Sequence, residues 1–370
     1  MTKTHALSFI DENAKGLEDL ALKIWEHPEI AYEEYKAAKW TAEYLESHGF
    51  DVEENYVGMP TAIKASWGNG KPVIGLLGEY DALGNMSQKI TTEKIPIKAG
   101  APGQACGHNL LGVAHVGAAI ALKKALEESG QEGTVIFYGC PAEEVLTGKG
   151  FMARGGAFKE IDFSMAFHPG SEHSVTTGKM TALNSVIFKF HGVTAHAGGD
   201  PHNGRSALDA VEQLNVGANY LREHVTDDVR IHYVITDGGR APNIVPDYAS
   251  VWYYVRALSR DAIEDTYERL IKIAKGAAMS TETEVEIEFL GGCYNTQQNK
   301  VLVNLIYNTM QEVDLPQWTD DEVKFAKELN DVSPNYKKFQ DQIEKEGQLA
   351  TKVSAIKSAH GYGSTDVGDV

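Results

Sequence analysis

The stretch "PVIGLLGEYDAL", residues 72–83, decides how the chain is read. Seven uncharged residues are followed by Glu79 and Asp81, two apart. A buried strand ends in this way when it delivers side chains to a site on the carboxyl edge of a sheet. Upstream, residues 4–49 have the spacing of two amphipathic helices split at "HPEIAYEE" (27–34), and "TAIKASW" (61–67) has the pattern of a strand. Downstream, residues 84–105 form a long polar loop containing Gly and Pro; loops of that length in a compact domain are usually functional. An Ala- and Leu-rich helix over 109–128, a strand "GTVIFYGC" (133–140), a loop "PAEEVLTGKG" (141–150) and a strand "FSMAF" (163–167) follow. Strands alternating with helices imply an α/β layered domain built on a mixed central sheet.

The rhythm changes at residue 184. "NSVIFKFH" reads as strand, "GRSALDAVEQLNVGANYLREH" as helix, "VRIHYVIT" and "ASVWYYVRAL" as strands, "RDAIEDTYERLIKIAKGAA" as helix and "TEVEIEFLG" as strand. That β-α-β-β-α-β order is a ferredoxin-like α+β unit. It implies an inserted domain over 184–292, with residues 1–183 and 293–370 forming a discontinuous first domain. From "NKVLVNLIYNTMQEV" onward the pattern returns to helices.

Composition narrows the function. A chain of 370 residues is long enough for two domains. A net charge of −18 argues against nucleic acid or an anionic membrane as the main partner, because both need a basic surface. Three cysteines, Cys106, Cys140 and Cys293, are too few and too odd in number for a disulfide framework. The first 25 residues are charged throughout, unlike a signal peptide, and no run of 18 apolar residues is present. The expected location is cytoplasmic.

Three segments then offer metal-ligating side chains. In "GQACGHNLLGVAH" (103–115), Cys106 and His108 stand two apart and would point the same way on extended chain. A thiol and an imidazole so spaced serve as ligands, as a nucleophilic or redox pair, or as packing. In "PAEE", Glu143 and Glu144 would point apart on extended chain, one toward a metal and one toward an attacking water. His168 follows the strand-like "FSMAF". Glu79 and Asp81 could orient a ligand histidine from behind. Thiolate, imidazole and carboxylate together suit zinc, with manganese as the harder alternative.

The ordered motifs "GEYDAL", "GQACGHNLLG", "PAEE", "FHPG", "GVTAHAG", "NGRSALDA", "APNIVP" and "GSTDVGDV" run from about residue 75 to the end. Together they resemble the zinc-dependent peptidase family of aminoacylases and glutamate carboxypeptidases, within it the amidohydrolase branch of the aminobenzoyl-glutamate hydrolases. The resemblance implies a two-metal amidohydrolase with a catalytic domain and an inserted lid domain. It makes Cys106 a shared ligand, with His108, Glu144 and His168 as further ligands and Glu143 as general base. It places Asp81 behind the ligands. His196 becomes the lid histidine that stabilises the tetrahedral oxyanion, in many relatives from the partner subunit of a homodimer or higher homo-oligomer. The family's remaining histidine ligand lies tens of residues beyond "GSTDVGDV". His360 does not match it and the chain stops at Val370, so the expectation is a site that accepts one ion better than two.

The implied substrates are N-acyl amino acids, aminobenzoyl-glutamate-like compounds or short peptides with a free carboxylate. Arg256 in "VWYYVRA" and Asn243 in "APNIVP" are the candidates to hold that carboxylate, with Arg205 of "NGRS" as competitor. His115, His191 and His202 read as structural or surface groups, and Cys140 and Cys293 as packing. Two rivals remain. One is a catalytically impaired family member that only binds peptide or metal. The other is an enzyme using Cys106 as a thiol nucleophile, a role that metal ligation would quench.

Overall fold

A computed structural model describes residues 2–333, 340–341, 343–345, 347–358 and 360–370. The chain divides into two compact units. The first comprises residues 1–177, 298–358 and 370, and the second 178–297 and 359–369. The second unit is wider than the expected insert of 184–292: residues 178–183 and 293–297 belong to it, and so does the segment 360–369, where the Gly363 carbonyl accepts the backbone N–H of Thr181.

The first unit carries a five-stranded mixed sheet of order β1-β2-β4-β3-β5. Its strands are β1 (Asp51–Glu54), β2 (Ile63–Asn69), β3 (Val73–Glu79), β4 (Gly133–Cys140) and β5 (Phe163–Met165). β3 runs parallel to both β4 and β5, whereas β2 is antiparallel to β4 and to β1. Parallel strands buried on both faces need continuous apolar runs, and "VIGLLG" and "TVIFYGC" supply them. α1 (Thr2–Glu26), α2 (Tyr35–Ser47) and α3 (His108–Ser129) pack on this sheet around a core that includes Leu20, Ile24, Leu45, Leu76, Val116, Ile120 and Phe137. α3 is long and apolar enough to cross a membrane by length and composition alone; twelve of its residues are buried within this unit. α4 (Gly148–Arg154), α7 (Lys300–Met310) and α8 (Asp320–Val332) also belong to this unit.

One close approach fixes where α3 begins. A Cβ on Gly112 would lie 2.3 Å from the carbonyl oxygen of Glu79. Only glycine lets the helix lie this tightly on the end of β3, and that contact brings His108, one turn earlier, beside Glu79 and Asp81.

The second unit is a four-stranded antiparallel sheet of order β7-β8-β6-β9. It contains β6 (Ala182–His191), β7 (Arg230–Asp237), β8 (Tyr248–Ala257) and β9 (Glu284–Cys293). α5 (Ala207–Leu221) and α6 (Arg260–Thr281) bury Val211, Leu214, Leu270 and Ala274 against Phe188, Phe190, Val251 and Tyr253. This is the ferredoxin-like unit that the strand and helix order predicts.

Candidate metal centre and active site

The carboxyl edge of the first unit's sheet gathers the side chains. Asp81, just past β3, is fully buried and bonds to two elements at once. Its Oδ1 accepts the Nδ1–H of His108 at 2.9 Å, and its Oδ2 accepts the backbone N–H of Glu144 at 2.8 Å. A carboxylate on Nδ1 fixes the orientation of the ring and leaves Nε2 turned away from Asp81. That Nε2 is buried and has no hydrogen-bond partner. It faces Glu79 Oε2 at 3.4 Å and Glu143 Oε2 at 3.7 Å. Burial opposes a charge on His108, but the bonds to Asp81 and Cys106 raise its pKa to about 11. The surroundings therefore call for a cation at this point.

Cys106 and His168 form a second group with His108. The sulfur lies 3.2 Å from His168 Nε2, while His168 Nδ1 donates to the carbonyl of Pro169 at 2.9 Å. The second histidine is thus also turned with Nε2 inward. Hydrogen bonds from His108 and His168 bring the Cys106 thiol down to about 6, so a thiolate is available near neutral pH. Ligand atoms of Cys106, His108 and His168 lie within 4.8 Å of one another, and so do those of Glu79, His108 and Glu143. Glu144 lies outside both triplets. Its Oε1 is 4.0 Å from His108 Nδ1, buried and without a hydrogen-bond partner, and burial next to Cys106 raises its pKa to about 7.

Two buried polar atoms without hydrogen-bond partners, His108 Nε2 and Glu144 Oε1, beside a low-pKa thiol form a set that fits a metal ion. Sulfur, nitrogen and oxygen together suit a borderline-soft cation.

The local backbone differs from the extended segments expected. Gly107 adopts a left-handed conformation at φ 80 and His108 is the first residue of α3, so Cys106 and His108 converge across a turn. Glu143 and Glu144 sit in a 3₁₀ turn over Glu143–Val145. β5 stops at Met165, and His168 stands three residues beyond it. The structure brings these segments together, but the turns, not alternation along a strand, aim the side chains.

Lys149 carries no signal in the sequence. It is fully buried in α4, and its Nζ lies 2.5 Å from Glu79 Oε1. Burial alone would push the Glu79 carboxyl up; the Lys149 ammonium outweighs it and holds the group below its ordinary value. A single lysine in "TGKGFM" has no periodic signature that would have revealed this.

The remaining candidates lie in the second unit. His196 is exposed, and its Nδ1 accepts the N–H groups of Gly198 and Gly199 at 3.2 and 2.9 Å. The proton therefore resides on Nε2, which is turned into a donor. Asn243 is its neighbour, its carbonyl accepting the N–H of Ala197 at 3.0 Å. Arg256 stands near the far end of β8, bonded to Ser364 Oγ at 2.9 Å and against the ring of Tyr254. Arg256 lies at one end of β8, whereas Asn243 lies in the segment that leads into the other end of that strand at Tyr248. Arg205 is paired with Glu282 at 2.6 Å. Cys140 and Cys293 are both buried, as packing residues would be.

Comparison with known proteins places this architecture. Residues 181–282 match the peptidase dimerisation domain. The chain is 44% identical over 322 residues to a subunit of the p-aminobenzoyl-glutamate hydrolase of Escherichia coli, covering 86% of this chain and 67% of that one. It is 32% identical to the Xaa-Arg dipeptidase of Mus musculus, covering 82% and 69%. Among solved structures, an aminobenzoyl-glutamate utilization protein from Klebsiella pneumoniae aligns with TM-score 0.65 at 18% identity, over 98% of this chain and 88% of that one. A Bacillus subtilis protein described as a dinuclear metal-binding peptidase of the M20 family aligns with TM-score 0.60 at 18% identity, over 96% and 84%. With that level of identity to these relatives over more than four fifths of its length, the chain belongs to the M20 family of metal-dependent peptidases and amidohydrolases.

Proposed function

We propose that this chain hydrolyses the amide bond of N-acyl amino acids, aminobenzoyl-glutamate-like compounds or short peptides with a free carboxylate. The observation that carries the reading is the unpartnered, buried Nε2 of His108 among Cys106, His168, Glu79, Glu143 and Glu144. Cys106, His108, Glu144 and His168 hold the metal, zinc in preference to manganese because of the thiolate. When bound, the metal polarises an amide carbonyl and lowers the pKa of water toward neutrality.

Glu143 takes a proton from the attacking water and passes it to the leaving nitrogen. Its carboxylate faces His108 Nε2 at 3.7 Å, on the rim of the ligand cluster. Asp81 holds His108 in its tautomer and the Glu144 backbone in place. His196 donates its Nε2–H to the tetrahedral oxyanion. The polarity of its Nδ1 contacts supports that task, and a partner subunit in a homodimer built on the second unit is the proposed source. Asn243 binds the substrate carboxylate. Arg256 belongs to the same proposal, with less support because Ser364 and Tyr254 engage it. The location is cytoplasmic on this reading.

The test is a panel of N-acetyl amino acids, aminobenzoyl-glutamate and dipeptides, with release of free amine as the readout. Hydrolysis that stops on chelation and returns with zinc is expected. Tight binding of metal and peptide without turnover of any member would favour the impaired binding protein instead.

A further inference from the structure

We propose that the turn over residues 29–34 is a brace that sets the loop bearing Glu143 and Glu144, with Glu34 and Tyr32 as its positioning residues. The inference rests on the roles proposed above for those two glutamates.

The loop needs holding. Ala142 and Leu146, on either side of the 3₁₀ turn, both adopt left-handed backbone at φ 58. Neither is glycine, and an L side chain is disfavoured there. Within the loop, Leu146 N–H bonds to the Glu143 carbonyl at 2.7 Å and Thr147 N–H to the Ala142 carbonyl at 3.5 Å. These bonds close the turn on itself but do not tie it to the rest of the unit.

Contacts from elsewhere in the unit supply that tie. At the start of the loop, Glu34 Oε1 accepts the N–H of Ala142 at 2.8 Å. In the middle, Asp81 accepts the N–H of Glu144. At the end, the hydroxyls of Tyr32 and Thr147 share a hydrogen bond at 2.5 Å. The first and last of these come from one short turn 108 to 115 residues earlier in the chain. That turn is itself closed by one internal bond and pinned at its start to the end of β3. Tyr32, at φ 66, donates its own N–H to Glu34 Oε1 at 2.9 Å. The carbonyl of Glu29 accepts the N–H of Ala82 at 2.8 Å, one residue after Asp81. The brace thus links the end of β3 to both ends of the glutamate loop.

Glu34 is an unusual residue to place there. It is fully buried, and its second oxygen has no hydrogen-bond partner. Burial, with Asp81 close by, raises its carboxyl to about 7. A buried carboxylate outside the ligand cluster is costly to keep. What it provides is one acceptor oxygen for two backbone N–H groups, those of Tyr32 and Ala142. An amide oxygen would do the same.

The experiment uses the full chain and the variants Glu34→Ala, Glu34→Gln and Tyr32→Phe. Zinc affinity is read by chelator competition, and kcat and KM with the best substrate of the panel. Glu34→Ala is expected to weaken zinc binding by about 10- to 100-fold, the effect of losing a group that orients a ligand. Its kcat should fall with KM changed less than about threefold. Glu34→Gln should restore zinc affinity to within about threefold of wild type, and Tyr32→Phe should fall between the two. Wild-type zinc affinity in Glu34→Ala, or a Gln variant as damaged as the Ala variant, overturns the brace. Should Glu34→Ala fail to fold, Tyr32→Phe decides: zinc affinity and kcat equal to wild type overturn the proposal. Glu144→Ala runs alongside. If it binds zinc like wild type, the reading of the loop itself is wrong; if it loses zinc while the brace variants do not, only the brace is wrong.

Discussion

Lys149→Met removes the ammonium that faces Glu79 inside the first unit. The pair is 2.5 Å apart, with the lysine side chain fully buried and that of the glutamate nearly so. Methionine keeps most of the stem's volume, so the perturbation is chiefly electrostatic. Breaking a buried pair from one side costs about 3–5 kcal/mol, because the partner is left as an uncompensated buried charge. Glu79 keeps a second counter-charge, His108 at 3.4 Å, which the site holds protonated up to about pH 11. That places the expected loss at the lower end, about 3 kcal/mol. With a urea slope of about 3 kcal/mol/M, the midpoint of the metal-free protein should fall by about 1 M. Tryptophan fluorescence is a suitable assay, since Trp25, Trp40, Trp67 and Trp318 all belong to this unit. Adding Glu79→Gln to the variant removes the stranded charge and should restore at least half of the loss. A shift below about 0.3 M for the single variant, or a double variant less stable than the single, would show that the ion pair does not hold Glu79 in this way.

Glu143→Ala should retain zinc and lose about 100- to 10,000-fold in kcat, whereas Glu144→Ala should lose zinc; metal analysis and kinetics on the two proteins decide. Equal metal loss in both would make Glu143 a ligand, as its place beside Glu79 and His108 permits. Glu34 titrates near 7 in the folded chain against an ordinary 4.5, so folding takes up a proton between those values. Its contribution to stability is greatest below pH 4.5, declines as pH rises to 7 and is flat above. Glu34→Gln should therefore gain on wild type between those two pH values, by at most about 3 kcal/mol, in urea titrations at several pH values. A pH-independent difference contradicts the assignment. Sedimentation at micromolar concentration should give a dimer, and disruptive substitutions on the second unit should give a monomer; a dimer that survives them rests on the other unit.

How much of this was legible in the sequence varies with the physics behind each element. β3 and β4 could be read because parallel strands buried on both faces demand unbroken apolar runs. The second unit was legible because helix and strand periodicities alternate cleanly from residue 184 onward. β1, "DVEE", has no apolar alternation and gave no signal, and α4 is too short to show a period. At the site, spacing identified the segments but not their geometry. Nothing in "ACGH" announces that Gly107 turns left-handed, or in "PAEE" that Ala142 does. Those are tertiary outcomes, held by Asp81 and Glu34 from distant segments. Lys149 and Glu34 went unread for the same reason: one charged residue among small or polar neighbours carries no pattern until its partner is known.

Everything proposed for the site depends on Cys106 ligating a metal together with His108 and His168. Zinc K-edge X-ray absorption on the zinc-loaded chain reads that ligand set without recourse to activity. One sulfur at about 2.3 Å is expected, with nitrogen and oxygen at about 2.0–2.2 Å, and the sulfur shell should vanish in Cys106→Ser. A spectrum of bound zinc with nitrogen and oxygen alone would contradict ligation by Cys106.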